Sequence, residues 1–331
     1  MTKKKKKKMQ KNIYTALTFV FFAVFLICSA FSVNNLFFKT AAADSAAEDP
    51  TDINAEDVYS PRKTNLLGDL KVNTGDVTYM QDMLGFFKPL YAYNQDTVGW
   101  LRVPNTSIDT VVMHNTNDNG RTGDYFYLRN DFYKVYSRYG NVFLDYRCRK
   151  YDLSQNTILY GHAIPSGEQA FNDLNKYKNI DFFKANPIVE YGTLYNNYKW
   201  KVFTVFLTTV EAPDDNGYVF NYIYPSMGPN SFAGYLAAVR ERELYRTGVD
   251  VAPTDKILTL STCDYDFNAK GQKISARLVV VARMLREGES EAIDLSAVTG
   301  NPGYRRPQRW YSLMGQSNPY ANSPRWTPSD N

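Results

Sequence analysis

The chain has 331 residues, 44% of them hydrophobic and 15% aromatic, enough for one well-packed core with appendages or two small domains. Its formal net charge of +4 is owed to seven lysines, Lys3 to Lys8 and Lys11, which precede every acid. Without them 31 basic residues face 34 acidic ones, a net of −3, which argues against a nucleic-acid-binding body.

The lysines border a run from Ile13 to Phe38 without a charged side chain. A bilayer-crossing helix takes about 20 apolar residues, and Ile13 to Val33 meets that length. Basic residues 1–12 hold their end in the cytoplasm, so 13–33 is expected to be a transmembrane anchor with the remainder outside the cell. A cleaved signal peptide is the alternative, with Ala41-Ala42-Ala43 as a small-residue cleavage site, although its apolar stretch usually spans only about 7–15 residues. Residues 34–75 are rich in Ala, Asp, Asn, Thr and Ser and form a spacer.

From Asp76, Val77, Met80, Met83, Leu84, Phe87 and Leu90 recur at spacings of three and four and predict an amphipathic helix. Short strands follow: Val98–Val103, Ile108–Val112, Gly140–Asp145, Thr157–Tyr160, Pro187–Tyr191, Lys199–Leu207, Lys256–Leu260 and Arg277–Met284. Regular short strands of this kind predict a mainly β fold, a closed or nearly closed barrel of about eight strands. Helices are expected near Gln169–Tyr177 and from an N-cap at Ser231 to about Arg246. Beyond Arg286, five prolines among Asn, Ser, Gly and Arg predict a disordered tail over 287–331. Docking of Trp310 and Trp326 on the barrel or the envelope is the alternative.

Three cysteines are few for an exported chain. Cys28 lies in the apolar run. Cys148 and Cys263 either pair as a disulfide or remain free, and a free thiol outside the cell needs a reason such as catalysis. There are only two histidines, His114 and His162. His162 ends the apolar run Asn156-Thr157-Ile158-Leu159-Tyr160-Gly161, and a strand end is where a scaffold presents a side chain to a cleft. His114 follows Val111-Val112-Met113, so position alone does not separate the two. Cys263 ends Leu258-Thr259-Leu260-Ser261-Thr262, and Arg277 opens Leu278-Val279-Val280-Val281-Ala282. Together they suit acyl transfer: a thiolate attacks, an imidazole protonates the leaving amine, and a guanidinium holds the oxyanion. Two histidines without a neighbouring Cys or acid set make no zinc site, and no cofactor is called for.

These segments carry a family resemblance. Leu258-Thr259-Leu260-Ser261-Thr262-Cys263 resembles the TLxTC signature of sortases. Arg277 to Ala282 looks like the arginine strand that follows it, and Asn156 to His162 like the family's histidine strand. Serine before Thr262-Cys263 is similar to class B sortases, as are Asp96-Thr97-Val98-Gly99-Trp100-Leu101, Tyr127-Leu128 and Phe143-Leu144-Asp145-Tyr146. The resemblance covers roughly residues 77–286, so 76–286 is taken as the catalytic domain. It implies a sortase-type barrel with N-terminal helices and a helix before the cysteine strand.

It also implies a cysteine transpeptidase with Cys263, His162 and Arg277 as catalytic residues. Cys263 would attack the C-terminal sorting signal of a secreted protein. An amine of a cell-wall precursor or a pilin would then resolve the thioacyl-enzyme. Ser261, Asp264 and, more weakly, Leu128 are candidates for binding the peptide. A peptidase using water as acceptor and an inactive surface scaffold are the alternatives. His114 matches no catalytic position and is expected on the surface or cleft rim. Asn318-Pro319-Tyr320-Ala321-Asn322 resembles an NPxTN sorting signal with Ala321 in place of Thr, either by chance or as a weak pseudo-substrate on a flexible tail.

Overall fold

The computed structural model describes residues 77–115, 123–164 and 171–328. The segments expected as cytoplasmic tract, anchor and spacer, 1–75, lie outside them. Among the described residues no helix is long and apolar enough to cross a membrane.

Eight strands form the body: β1 (Thr97–Arg102), β2 (Asp109–Met113), β3 (Val142–Leu144), β4 (Asn156–Tyr160), β5 (Ile188–Thr193), β6 (Asn197–Thr209), β7 (Ile257–Asp264) and β8 (Ala276–Met284). They close into a barrel in the order β1-β2-β3-β4-β7-β8-β6-β5. The β2–β3 and β4–β7 pairs are parallel, and the other pairs are antiparallel. Closure removes the exposed edges that an open sheet would present. Around the barrel lie the helices α1 (Phe87–Tyr93), α2 (Gly123–Arg129), α3 (Ile180–Ala185), α4 (Pro229–Arg242) and α5 (Gln308–Met314).

The strands nearest the site are buried on both faces. Leu258, Leu260, Leu278 and Val280 fill the barrel core. The alternate residues Val279 and Val281 pack outward against Phe232, Tyr235 and Val239 of α4. That second layer explains why β8 is apolar without alternation: a strand covered on both sides has no polar face.

The helices depart from expectation in instructive ways. The amphipathic pattern from Asp76 yields only the short helix α1. A helix begun at Asp76 would hold Pro89 in its interior, where the ring meets the carbonyl four residues back. Starting at Phe87 places Pro89 in the first turn, where no N–H is needed. Met83, Phe87 and Leu90 still pack into one cluster with Trp100 and Val111. The helix α4 starts at Pro229 rather than behind Ser231, because proline is suited to the first helical position. The helix expected near Gln169–Tyr177 is a 3-10 helix, Asn172–Lys178.

The tail is not disordered over its described part, 287–328. Its origin is bolted down by ion pairs: Glu289 takes Arg283 Nη1 at 2.6 Å and Nη2 at 2.7 Å, and Lys201 Nζ at 2.8 Å. Arg283 is wholly buried. Thr299 and Gly300 form a short ladder with Arg246 and Tyr245, and α5 follows. Trp310 packs against the barrel core, while Trp326 docks on α4 outside the barrel. The binding groups are scattered arginines and aromatic rings, which leave no periodic trace in the sequence.

Candidate active site

Cys263 lies near the end of β7 and Arg277 near the start of β8, directly opposite each other in the antiparallel register. Opposite residues on one face hold their Cβ atoms about 5 Å apart, so a guanidinium can reach the sulfur. Arg277 Nη1 donates to Cys263 Sγ. Both side chains stand on the outward face of the sheet.

β4 brings His162 to the same end. Its parallel pairing with β7 sets Tyr160 opposite Ser261, so His162 and Cys263 each stand two residues beyond that match. Thr262 Oγ1 donates to Gly161 O at 2.7 Å and ties the two strand ends together. Gly161 is required by packing: a Cβ there would lie 2.8 Å from the Phe171 ring. The imidazole is held by Leu128 at the end of α2, with Nε2 2.8 Å from Leu128 O. A carbonyl only accepts, so Nε2 carries the proton and Nδ1 remains to take one up. Burial lowers the His162 pKa from the usual histidine value; the Leu128 bond opposes this, while the charges of Arg129 and Arg277 add to it.

Two clefts meet at the Cys263–Arg277 pair. The first, about 510 Å³ and here called the apolar cleft, has Leu128, Phe143, Tyr160, Val219 and Ile223 in its walls together with Asp145, Arg147 and His162. The second, about 490 Å³ and here called the charged cleft, has Glu211, Asp214, Lys273 and Arg309 around it.

The three candidate catalytic residues are thus brought together. Ser261 lines the apolar cleft, but its hydroxyl is engaged by Tyr222 OH at 2.7 Å. Leu128 contributes a side chain to that cleft and a carbonyl to His162. Asp264 is on the charged side instead. Its Oδ2 takes Lys178 Nζ at 2.5 Å, and its Oδ1 caps the backbone N–H groups of Asp266 and Phe267. Asp264 therefore shapes the loop after the cysteine strand and has no carboxylate oxygen free for a peptide.

His114 is not on the rim. It is 2% exposed, and burial pushes its imidazole down to about 4. Cys148 and Cys263 are both free; Cys148 is buried, and its thiol is pushed up to about 12 by that burial. The Asn318–Asn322 segment lines neither cleft at Cys263 and is pinned elsewhere, with Asn318 Nδ2 on Gln308 Oε1 and Tyr320 OH on Gly303 O.

Sequence reasoning missed the wall of the apolar cleft. Tyr218, Phe220 and Tyr222 alternate with Val219, Asn221 and Ile223, a period of two in a segment that is not a strand. It also missed Asp145, which is buried at the cleft and accepts from Tyr160 OH at 2.8 Å and from Arg147 Nε and Nη2 at 2.9 and 2.7 Å.

A family model described as the sortase domain matches residues 101–285, more than half of the chain. The chain belongs to the sortase family. Sortase B of Listeria monocytogenes is 28% identical over 275 residues, covering 82% of this chain and 99% of the relative. Among solved structures, a Staphylococcus aureus sortase B–substrate complex aligns with a TM-score of 0.52 at 28% identity, covering 63% of this chain and 88% of that one. A sortase B complexed with triglycine aligns equally well, at 0.52 and 28%, over 63% and 89%. As a sortase, the protein is a cysteine transpeptidase that acts on sorting signals, and its closed eight-stranded barrel is the sortase B fold.

Proposed function

We propose that Cys263 is the nucleophile, His162 the proton carrier and Arg277 the oxyanion holder, and that the two clefts serve the two substrates. The observation that carries this is the Arg277–Cys263 pair standing where an apolar and a charged cleft meet, with His162 beside it. The sorting signal lies in the apolar cleft, the one that His162 and Cys263 both line, so that the proton carrier reaches the scissile bond. Cys263 passes its thiol proton to His162 Nδ1, its sulfur adds to the threonine carbonyl, and Arg277 takes the oxyanion. The scissile C–N bond breaks as His162 gives a proton to the departing amine, which leaves a thioacyl-enzyme. The acceptor amine enters from the charged cleft, passes a proton to His162 and attacks the thioester. The new amide forms and Cys263 is released. The substrate and triglycine complexes of related sortases support a peptide donor and an amine acceptor. For this chain the acceptor is an amine of a cell-wall precursor or a pilin. Residues 13–33 anchor it in the cell membrane, with 1–12 cytoplasmic and the barrel outside.

The test is incubation of the full-length chain with a pentapeptide library built on NPxTN, with and without triglycine, read by mass spectrometry. A product joined to triglycine, absent with Cys263→Ala, is expected. Cleavage that never yields a joined product would replace the amine acceptor by water.

A further inference from the structure

The loop that walls the apolar cleft has almost no secondary structure of its own. Between β6 and α4, residues 210–228 hold only one 3-10 turn, Ala212–Asp215. Such a stretch keeps its shape through side chains that engage its polar groups and bury its rings. On the barrel side Asn156 does so, with Nδ2 donating to Tyr224 O at 3.1 Å. On the solvent side the C-terminal segment does so.

Gln308 N donates to Asp215 Oδ1 at 2.9 Å, and Arg309 Nη1 to Asp214 Oδ1 at 2.9 Å. Arg305, only 6% exposed, bridges Asp215 Oδ2 at 3.5 Å and Glu241 Oε2 at 3.0 Å. Tyr218 OH donates to Trp326 O at 3.0 Å, and the guanidiniums of Arg305 and Arg325 lie 5.8 and 5.7 Å from the Tyr218 ring centre. The Trp326 ring meets Phe220, Tyr224 and Tyr235, each at 5.8 Å between centroids. Its Nε1 donates to Ser231 O in the first turn of α4 at 3.0 Å. Gly234 leaves the ring its space, since a Cβ there would lie 2.6 Å from Trp326 Cδ1.

The gripped rings alternate with the residues that face substrate. Tyr218 and Phe220 are buried under the tail, while Val219 and Ile223 line the cleft. A shift of the rings therefore shifts the wall. We propose that residues 304–328, which lie beyond the matched sortase domain, are a positioning strap that holds this wall from outside and so sets the fit of the sorting signal. The proposal rests on the apolar cleft being the donor site. Trp326 and Arg305 line neither cleft and act through Val219 and Ile223, so they are positioning residues.

The experiment measures kcat and KM of the full-length chain for an NPxTN peptide. Active sites are counted by labelling Cys263 with a thiol reagent, with Cys263→Ala as the blank. Trp326→Ala should raise KM about tenfold with kcat per labelled site unchanged, because ground-state and transition-state contacts with the wall are lost together. Trp326→Phe should restore most of the loss. Gly234→Ala, which pushes the ring from the helix side, should move KM in the same direction. A chain ending at Gly303 should show the largest rise. KM within about twofold of the parent in both Trp326→Ala and the shortened chain would overturn the strap. So would a fall in kcat per labelled site at constant KM, which marks a merely stabilising tail. If the parent chain turns over no sorting peptide, the donor-site reading fails first, and the strap falls with it.

Discussion

Any side chain at position 277 faces the Cys263 sulfur across the strand pair, so its shape matters as much as its charge. A guanidinium offers a planar fork that can hold sulfur and then follow the oxyanion, whereas an ammonium is a point charge. Arg277→Lys should therefore lower kcat/KM about a hundredfold, the scale of losing one oxyanion donor. A near-normal rate for the lysine variant would reduce Arg277 to general electrostatics. Cys263→Ala should abolish turnover and leave the melting temperature almost unchanged, since the thiol is half-exposed at a cleft. These residues were legible because each sits at an abrupt strand end, where an apolar run stops at a polar or reactive side chain. The histidines were harder, since both follow strands. The structure separates them by environment: His162 reaches the cleft, while His114 is sealed inside. His114→Leu should accordingly spare kcat/KM while His162→Ala loses nearly all activity. His114 also gives a pH test. Its folded pKa, about 4, is below the unfolded value near 6.5, so the unfolded chain binds the extra proton and stability falls as pH drops through that window. The full effect is on the order of 3 kcal/mol. Melting curves from pH 7 to pH 4 should fall less steeply for His114→Leu than for the parent. Parallel curves would mean that His114 already titrates normally.

At the scale of elements, the barrel strands were readable and the connections were not. Strands announce themselves through local β-branched and aromatic runs such as Leu278-Val279-Val280-Val281. The loop from Val210 to Gly228 and the tail are shaped by distant partners instead. Arg305 gains its place from Asp215 and Glu241, and Trp326 from Phe220 and Tyr235, pairs that no window of sequence contains. Proline and glycine content made the tail look unfolded, yet its origin is fixed by buried charge. Arg283 is fully buried and Lys201 nearly so, and both pair with Glu289. Those two cations hold the Glu289 carboxyl below the usual carboxylate range, the bonds from Arg283 first. Glu289→Gln would keep the shape and remove the charge. Breaking a buried ion pair from one side costs roughly 3 kcal/mol. That corresponds to a drop in melting temperature of roughly 6–12 °C for a domain of this size. Thermal unfolding of the full-length chain checks it, and an unchanged midpoint would mean that Asp250 and Asp255 suffice for Arg283.

For the whole molecule, the consequence of the architecture is that the ends of β7 and β8 place the Cys263 sulfur where the two clefts meet. Donor and acceptor need not share a pocket, so the donor half can leave before the amine arrives. Initial rates at several triglycine concentrations should give parallel double-reciprocal lines, the mark of a covalent intermediate released between substrates. The clefts should also be separable by substitution. In the charged cleft Asp214 is paired with Arg309 and Asp264 with Lys178, while Glu211 and Lys273 have no ion-pair partner among the described residues. An ammonium group approaching Cys263 from that side would pass Glu211. Reversing its charge with Glu211→Lys should raise the KM for triglycine about tenfold while the KM for the NPxTN peptide stays unchanged. Hydrolysis of the peptide without amine should also keep its rate, if the thioacyl-enzyme forms in the cleft that His162 lines. Rising salt should narrow the difference between parent and variant, since an exposed charge acts through solvent. Equal changes in both KM values would place donor and acceptor in one cleft. Intersecting lines would require both substrates to be bound before any bond is broken.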